Sequence, residues 1–305
     1  MHLRIHHQTD YHYAAGVSAA QHIAHLQPPD TPWQRCTAHR LDIGPLQAAV
    51  HSHLDAFGNH CAYWAMDALH HSLSVSAHSE VHTRQASAQD ASPQADQPWE
   101  GARGYAQYRA DRPGDAACAF VFASHHVPLQ ADCADYARPS FIAGRALDGA
   151  AIDLMQRMHR DFAYEAQSTD IYTPVAQVLA QRRGVCQDFA HLLLSCLRSL
   201  GLPARYVSGY MLSEPPPGQA RLQGADASHA WVALYVPPLL AGGQGHWLEL
   251  DPTNCRHGWG TPGPDYVRLA VGRDFADVSP LRGVLQGGEA HSLQVQVTVE
   301  PVLAV

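Results

Sequence analysis

Three side chains in the second half of the chain have types and settings suited to attack on a carbonyl carbon: Cys186, His229 and Asp251. Cys186 stands in Arg182-Arg183-Gly184-Val185-Cys186-Gln187-Asp188-Phe189-Ala190, directly ahead of Phe189, Leu192, Leu193, Cys196, Leu197 and Leu200. Those apolar residues recur at helical spacing and share one face, so the spacing predicts a helix that begins at Cys186. A thiol in a first turn faces unpaired backbone N–H groups and the positive end of the peptide dipole. Both favour thiolate, against an ordinary cysteine pKa of about 8.5. Gly184 lets the chain turn sharply into the helix. The Cys186 N–H is itself placed to bind an oxyanion. A nucleophilic thiol needs a base, and the base needs an orienting group. His229 opens the apolar run His229-Ala230-Trp231-Val232, and Asp251 closes Trp247-Leu248-Glu249-Leu250-Asp251. Taken singly, these are a buried Cys at a helix start, a strand-edge His beside Trp and a turn carboxylate. Taken together, neighbouring antiparallel strands would carry His229 and Asp251 to one edge, where the carboxylate fixes the imidazole tautomer and the imidazole reaches the thiol. The same three residues can also be read as metal ligands. Cys196, on the apolar face, is expected in the core.

The elements that must position these residues follow from periodicity. Thr173-Pro174 reads as an N-cap followed by proline at the first helical position, opening a short helix with Val175, Val178 and Leu179 inward that ends before Gly184. Asp148 reads as the cap of an earlier helix carrying Ile152, Met155, His159 and Phe162. Gly201 and Pro203 stop the Cys186 helix. Ala204 to Met211, His229 to Val236 and Trp247 to Leu250 read as strands, with a long connection marked by Pro215-Pro216-Pro217-Gly218. Residues 1–83 alternate at period two around Leu3, Ile5, Tyr11 and Tyr13, then at Leu73 to Ala77 and Val81 to Thr83, with a turn at Asp55-Ala56-Phe57-Gly58-Asn59. They form a small all-β N-terminal domain in this reading. Residues 84–104, rich in Gln, Ala, Ser, Asp and Pro, read as a linker or mobile loop. Residues 105–280 carry the mixed α and β texture of the candidate core, and residues 281–305 a strand tail whose run Ser292 to Val299 alternates strictly.

Bulk properties narrow the function classes. A net charge of −8 argues against a nucleic-acid partner, which calls for clustered Lys and Arg. No apolar run is long enough to span a bilayer, so no membrane partner is expected. The start, Met1-His2-Leu3-Arg4, lacks the apolar core of a signal peptide. Seven cysteines, an odd number without a CxxC pair, fit neither a disulfide framework nor a zinc-finger pattern. A cytoplasmic location is the expectation. The 22 histidines are scattered without ligand spacing such as HExxH. No metal and no cofactor are expected. Oligomeric state is unreadable.

The motifs Gly184-Val185-Cys186-Gln187-Asp188-Phe189-Ala190, Leu197 to Tyr210, Ser228-His229-Ala230-Trp231 after Ala227, Leu250-Asp251-Pro252-Thr253-Asn254 and Gly272 to Pro280, in this order, closely resemble the core of bacterial transglutaminase-like proteins. The first eighty residues resemble the β region that accompanies that core. The resemblance implies an α+β fold: a papain-like transglutaminase core, with the nucleophile helix packed on an antiparallel sheet, preceded by a small all-β domain. It implies triad roles for Cys186, His229 and Asp251, and a second oxyanion donor upstream of the cysteine. Tyr164 fits that role, with Gln187 the other candidate and a packed aromatic at a helix end the plainer reading of Tyr164. Asp188 either positions a substrate amine, pairs with an Arg, or complements the helix dipole. Trp231 is grouped with the substrate-binding candidates, although with Trp247 it also reads as core packing. Cys255 is expected near the site without a role. The implied function is a cysteine peptidase or amidase that acts on peptide or carboxamide bonds through a thioester. Transfer to an amine, as in a transglutaminase, is the alternative, and a non-catalytic interaction module is the alternative of a different class.

Overall fold

The computed structural model describes residues 1–45, 48–87, 90, 96–107, 110, 115–166, 169–212, 228–238 and 243–302. The chain opens with β1 (His2–Ala24), β2 (Gln34–Gly44), β3 (His51–Leu54), β4 (His60–Met66) and β5 (His70–Thr83). Alternation drives this sheet: along β1, Leu3, Ile5, His7 and Thr9 are buried while Arg4 between them is exposed. The two runs expected within 73–83 are one continuous strand, β5. Asp55–Asn59 turns between β3 and β4, with the Asp55 carboxylate accepting the N–H groups of Phe57 and Asn59.

The segment 84–104 is not a linker throughout. Within it begins α1 (Trp99–Ala106), whose Trp99 and Ala102 are buried in the main core. Composition alone missed this because one large indole anchors an otherwise polar helix. A 3₁₀ turn at Ala116–Val121 is followed by α2 (Ala131–Ala137), α3 (Leu147–Asp161) and β6 (Ala163–Tyr164). Asp148 lies in the first turn of α3 and not at its cap, which is Ala146. Next come α4 (Val175–Gln181), β7 (Arg183–Gly184) and α5 (Cys186–Ser199). Pro174, not Thr173, occupies the cap of α4, since the Thr173 hydroxyl is engaged by Asp170. Helix α5 begins at Cys186 and stops before Gly201, which has a left-handed φ of 80°.

The core sheet comprises β8 (Ala204–Met211), β9 (Ser228–Val236), β10 (His246–Asp251), β11 (Arg256–Trp259) and β12 (Tyr266–Gly272), in the order β11-β10-β9-β8-β12. All its neighbours are antiparallel. Helix α5 packs on one face through Phe189, Leu192, Leu193 and Leu197, against Tyr206, Ala230, Val232 and Leu250. The proline-rich connection at 215–218 and Ala227 lie outside the described residues.

After α6 (Phe275–Val278), β13 (Leu281–Gly287) and β14 (His291–Pro301) return to the N-terminal sheet. Both pair with β1, β14 along Leu3–Tyr13 and β13 along Val17–Ala24. Two carboxamides join this sheet to β12 in the manner of strand pairs. Asn59 donates to the Val271 carbonyl and accepts the Val271 N–H, both at 2.8 Å. Gln34 does the same with Arg268, both at 2.8 Å. His7 adds a 2.8 Å hydrogen bond between its Nδ1 and the Tyr210 hydroxyl. Among the described residues no helix is long and apolar enough to cross a membrane.

Candidate active site

Helix α5 starts where it does because its entrance is extended and locked. Val185 has φ −115° and ψ 178°, and its N–H is accepted by Asp188 Oδ2 at 2.8 Å. Valine has no side-chain acceptor to return the bond, so the first-turn N–H groups, that of Cys186 included, have no side-chain cap. A Cβ at Gly184 would stand 2.8 Å from Asp188 Oδ2, so this lock requires glycine. Asp188 is buried and also accepts from Thr169 Oγ1 at 2.5 Å. Burial raises its pKa despite these bonds. Asp188 therefore braces the helix entrance, and among the described residues no arginine pairs with it.

The short parallel pair β6–β7 sets Tyr164 opposite Gly184, with Glu165 N–H on the Gly184 carbonyl at 3.0 Å. The Tyr164 ring meets Phe189 edge-on at 6.5 Å and is 56% exposed. Burial of part of the phenol and then the charge of Cys186 raise its pKa. Tyr164 thus stands at the mouth of the site, within electrostatic reach of the thiol. Gln187 is half-buried in the first turn of α5. Cys255 is half-buried, has a left-handed φ of 54° and packs against the main core.

His229 opens β9 opposite Gly209 of β8. Its Nε2 bonds Asp251 Oδ2 at 2.7 Å, and its ring lies within electrostatic reach of the Cys186 side chain. With Nε2 committed to the carboxylate, Nδ1 is the nitrogen left for the thiol. The imidazole pKa is raised to about 10. Burial pulls it down, but the hydrogen bond and charge of Asp251 and the nearby Cys186 outweigh that pull.

Asp251 is fully buried and accepts five donors. Oδ2 receives His229, the Tyr266 hydroxyl at 2.7 Å and Asn254 Nδ2 at 2.8 Å. Oδ1 receives the N–H groups of Thr253 at 2.9 Å and Asn254 at 3.2 Å. Burial pushes its pKa up, yet these bonds hold it below the usual carboxylate range. Among the described residues no group of three or more His, Cys, Asp or Glu is arranged to hold a metal.

Trp231 does not face substrate. It is 1% exposed, stacks beside His229 at 5.9 Å and donates its indole N–H to the buried Glu249, which also pairs with Arg268. It supports the imidazole from behind. Sequence reasoning gave no role to Tyr266 or Asn254. Asn254 was legible as part of the Asp251-Pro252-Thr253-Asn254 turn, whereas Tyr266 reaches Asp251 only through the sheet order and left no local sign.

A thiol at a helix N-terminus beside an imidazole held by a buried carboxylate has the chemistry of an imidazolium–thiolate nucleophile.

The sequence model of the bacterial transglutaminase-like N-terminal region matches residues 3–82, and that of the transglutaminase-like superfamily matches residues 148–252. An uncharacterised protein of Mycobacterium tuberculosis is 38% identical over 308 residues, covering 98% of this chain and 92% of the relative. A protein-glutamine gamma-glutamyltransferase of Pseudomonas aeruginosa is 33% identical over 138 residues, covering 42% of this chain and 19% of that protein. The crystal structure of a provisionally assigned cysteine protease from Cytophaga hutchinsonii superimposes with a TM-score of 0.71 at 20% identity, covering 100% of this chain and 92% of the other. The fold is thus the α+β, papain-like one with a sheet-rich N-terminal region.

Proposed function

This chain belongs to the transglutaminase-like superfamily of cysteine-nucleophile enzymes, and we propose that within it the protein is a hydrolase of peptide or carboxamide bonds, with Cys186 as nucleophile, His229 as acid and base, and Asp251 as orienter. The observation that carries this reading is the imidazole of His229, held at 2.7 Å by the buried Asp251 and within electrostatic reach of the Cys186 side chain at the start of α5. In the proposed cycle the thiolate adds to the amide carbonyl, and the oxyanion is met by the Cys186 N–H and the Tyr164 hydroxyl. The imidazolium gives its Nδ1 proton to the leaving amine, and the C–N bond breaks to leave a thioester. A water then gives one proton to His229 and adds to the thioester carbonyl. Collapse releases the carboxylic acid and restores the thiolate–imidazolium pair.

Water is favoured over an amine as acceptor because no segment of the sequence marks a channel that would hold an amine while shielding the thioester from water. A second reading, transfer of the acyl group to an amine, is favoured by the likeness to the Pseudomonas transglutaminase. The deciding experiment offers peptide and glutamine-amide libraries with and without added primary amine. Acid product without amine, lost in Cys186→Ala, supports hydrolysis. Product that forms only with amine makes the protein a transferase, and activity that survives Cys186→Ala sinks both readings.

A further inference from the structure

Arg205, near the start of β8, is a half-buried cation with no anionic partner among the described residues. Its Nε is inaccessible and makes no hydrogen bond among the described residues, and the guanidinium lies 3.8 Å over the Trp247 ring. The carboxylates around it are already taken. Glu249 holds Arg268 and Trp231, and Asp115 accepts from the hydroxyls of Tyr105 and Tyr235. The neighbouring Arg273 is satisfied by Asp277. An unpaired guanidinium stacked on an aromatic ring loses part of its hydration without regaining an opposite charge. Burial and the nearby Arg268 accordingly lower its pKa to about 9.

The guanidinium lines a cavity of about 660 Å³, walled by Phe57 and Phe120 with Trp247 and Tyr235. That volume falls in the range of small-molecule sites, roughly 300–1,000 Å³. Phe57 belongs to the Asp55–Asn59 turn of the N-terminal sheet, so the cavity sits at the seam with the core. It is separate from the Cys186 site. Arg205 pairs with Ala233, whereas His229 pairs with Gly209, about 13 Å further along β8 at ~3.3 Å per residue.

We propose that this cavity binds a small organic carboxylate with an aromatic body, the carboxylate bridging the Arg205 guanidinium and the body lying against Phe57 and Phe120. A planar guanidinium matches a carboxylate with two parallel N–H bonds, and the phenyl walls exclude strongly hydrated anions. The site is independent of the reaction assigned to Cys186.

The test is calorimetric titration of the full chain with N-acetyl-phenylalanine, its neutral amide and inorganic phosphate, with the melting temperature followed in parallel. The acid is expected to bind at millimolar concentration or below and to raise the melting temperature, with the amide and phosphate weaker by about tenfold or more. Arg205→Met keeps an apolar stem on Trp247 and should lose about tenfold or more of the acid's affinity, while Cys186→Ala should leave it unchanged. Arg205→Lys, the fallback if the methionine variant fails to fold, should also weaken binding because it loses the two-pronged contact. Equal binding of acid and amide, no binding of the acid, binding intact in the Arg205 variants, or binding abolished by Cys186→Ala each overturns the proposal.

Discussion

Replacing Asp251 by Asn removes one charge from the middle of the relay while keeping its shape. The amide must choose an orientation. Keeping oxygen at the Oδ2 position retains the acceptor for His229, Tyr266 and Asn254 but turns the new NH2 toward the N–H groups of Thr253 and Asn254. The reverse faces it with three donors, so the first orientation is expected. His229 then keeps an acceptor, but a neutral one. A hydrogen bond to a charged partner is worth about 1.5–3 kcal/mol and a neutral one about 1 kcal/mol. At ~1.36 kcal/mol per pKa unit, losing the charge lowers the imidazole pKa by about 0.4–1.5 units, from about 10 toward about 8.5–9.5. The assay is alkylation of Cys186 by iodoacetamide across pH, resolved from the other cysteines by peptide mapping. Once the imidazolium loses its proton, the thiolate sheds its counter-charge and reacts faster. The native rate should therefore rise again near pH 10, and that rise should move down in Asp251→Asn and vanish in His229→Ala. Stability follows the same sign. A His pKa raised from 6.5 stabilises the fold fully below pH 6.5 and loses that contribution as pH rises through about 10. An upper step that stays at pH 10 in Asp251→Asn would refute the reasoning.

Tyr266→Phe leaves the buried Asp251 short of one donor; urea denaturation should show a loss of about 1.5–3 kcal/mol, and a loss below ~0.5 kcal/mol would discount the bond. Gly184→Ala should push Asp188 off its bond to Val185 and cost about 1–3 kcal/mol by overpacking, read as a lower melting temperature with slowed Cys186 alkylation; an unchanged alkylation rate counts against the lock. His22 is buried on Trp64 with both ring nitrogens lacking a hydrogen-bond partner among the described residues, and burial, then His70, lower its pKa to about 4. It stays neutral in the fold, so its stabilisation is complete above pH 6.5 and erodes as pH falls toward 4. His22→Phe should flatten that acid slope by up to ~1.4 kcal/mol per pH unit in urea titrations, and an unchanged slope would remove His22 from the account. Asn59→Leu strands the N–H and carbonyl of Val271 and should cost about 2–4 kcal/mol; near-neutral stability would mean the carboxamide pairing is dispensable.

How much of this was legible depends on the range of the interaction. Helix α5 announced itself because its core face, its glycine entrance and its Gly201 stop are local. The strands of His229 and Asp251 were legible from short apolar runs bounded by turns. What escaped was non-local. Trp231 looked like a site residue because it adjoins His229 in sequence, but period two sends its indole to Glu249 behind the imidazole. Asp188 looked functional because it follows the cysteine closely, yet one helical turn aims its carboxylate back at Val185. Helix α1 hid in a polar stretch because burial of Trp99 depends on α3 and on residues from both ends of the core.

The N-terminal sheet has a consequence for the site that neither part shows alone. Tyr266 reaches Asp251 only while β12 holds its place, and β12 is an edge strand of the core sheet, paired on one side to β8. On its other side, where an edge strand ordinarily offers open backbone groups to solvent or to another chain, the Gln34 and Asn59 carboxamides satisfy Arg268 and Val271. Each carboxamide supplies one donor and one acceptor in the geometry of a strand partner, so the N-terminal region closes that edge without adding a strand. The bulge in the β8–β12 register falls between Arg268 and Ala270, the stretch where the two carboxamides take hold. Arg268 in turn reaches Glu249, which holds Trp231 against His229. Both supports of the imidazole, the Tyr266–Asp251 side and the Glu249–Trp231 side, therefore start on the strand that the N-terminal sheet pins. On this account the all-β region is part of the machinery that orients His229, even though it contributes no atom to the reaction.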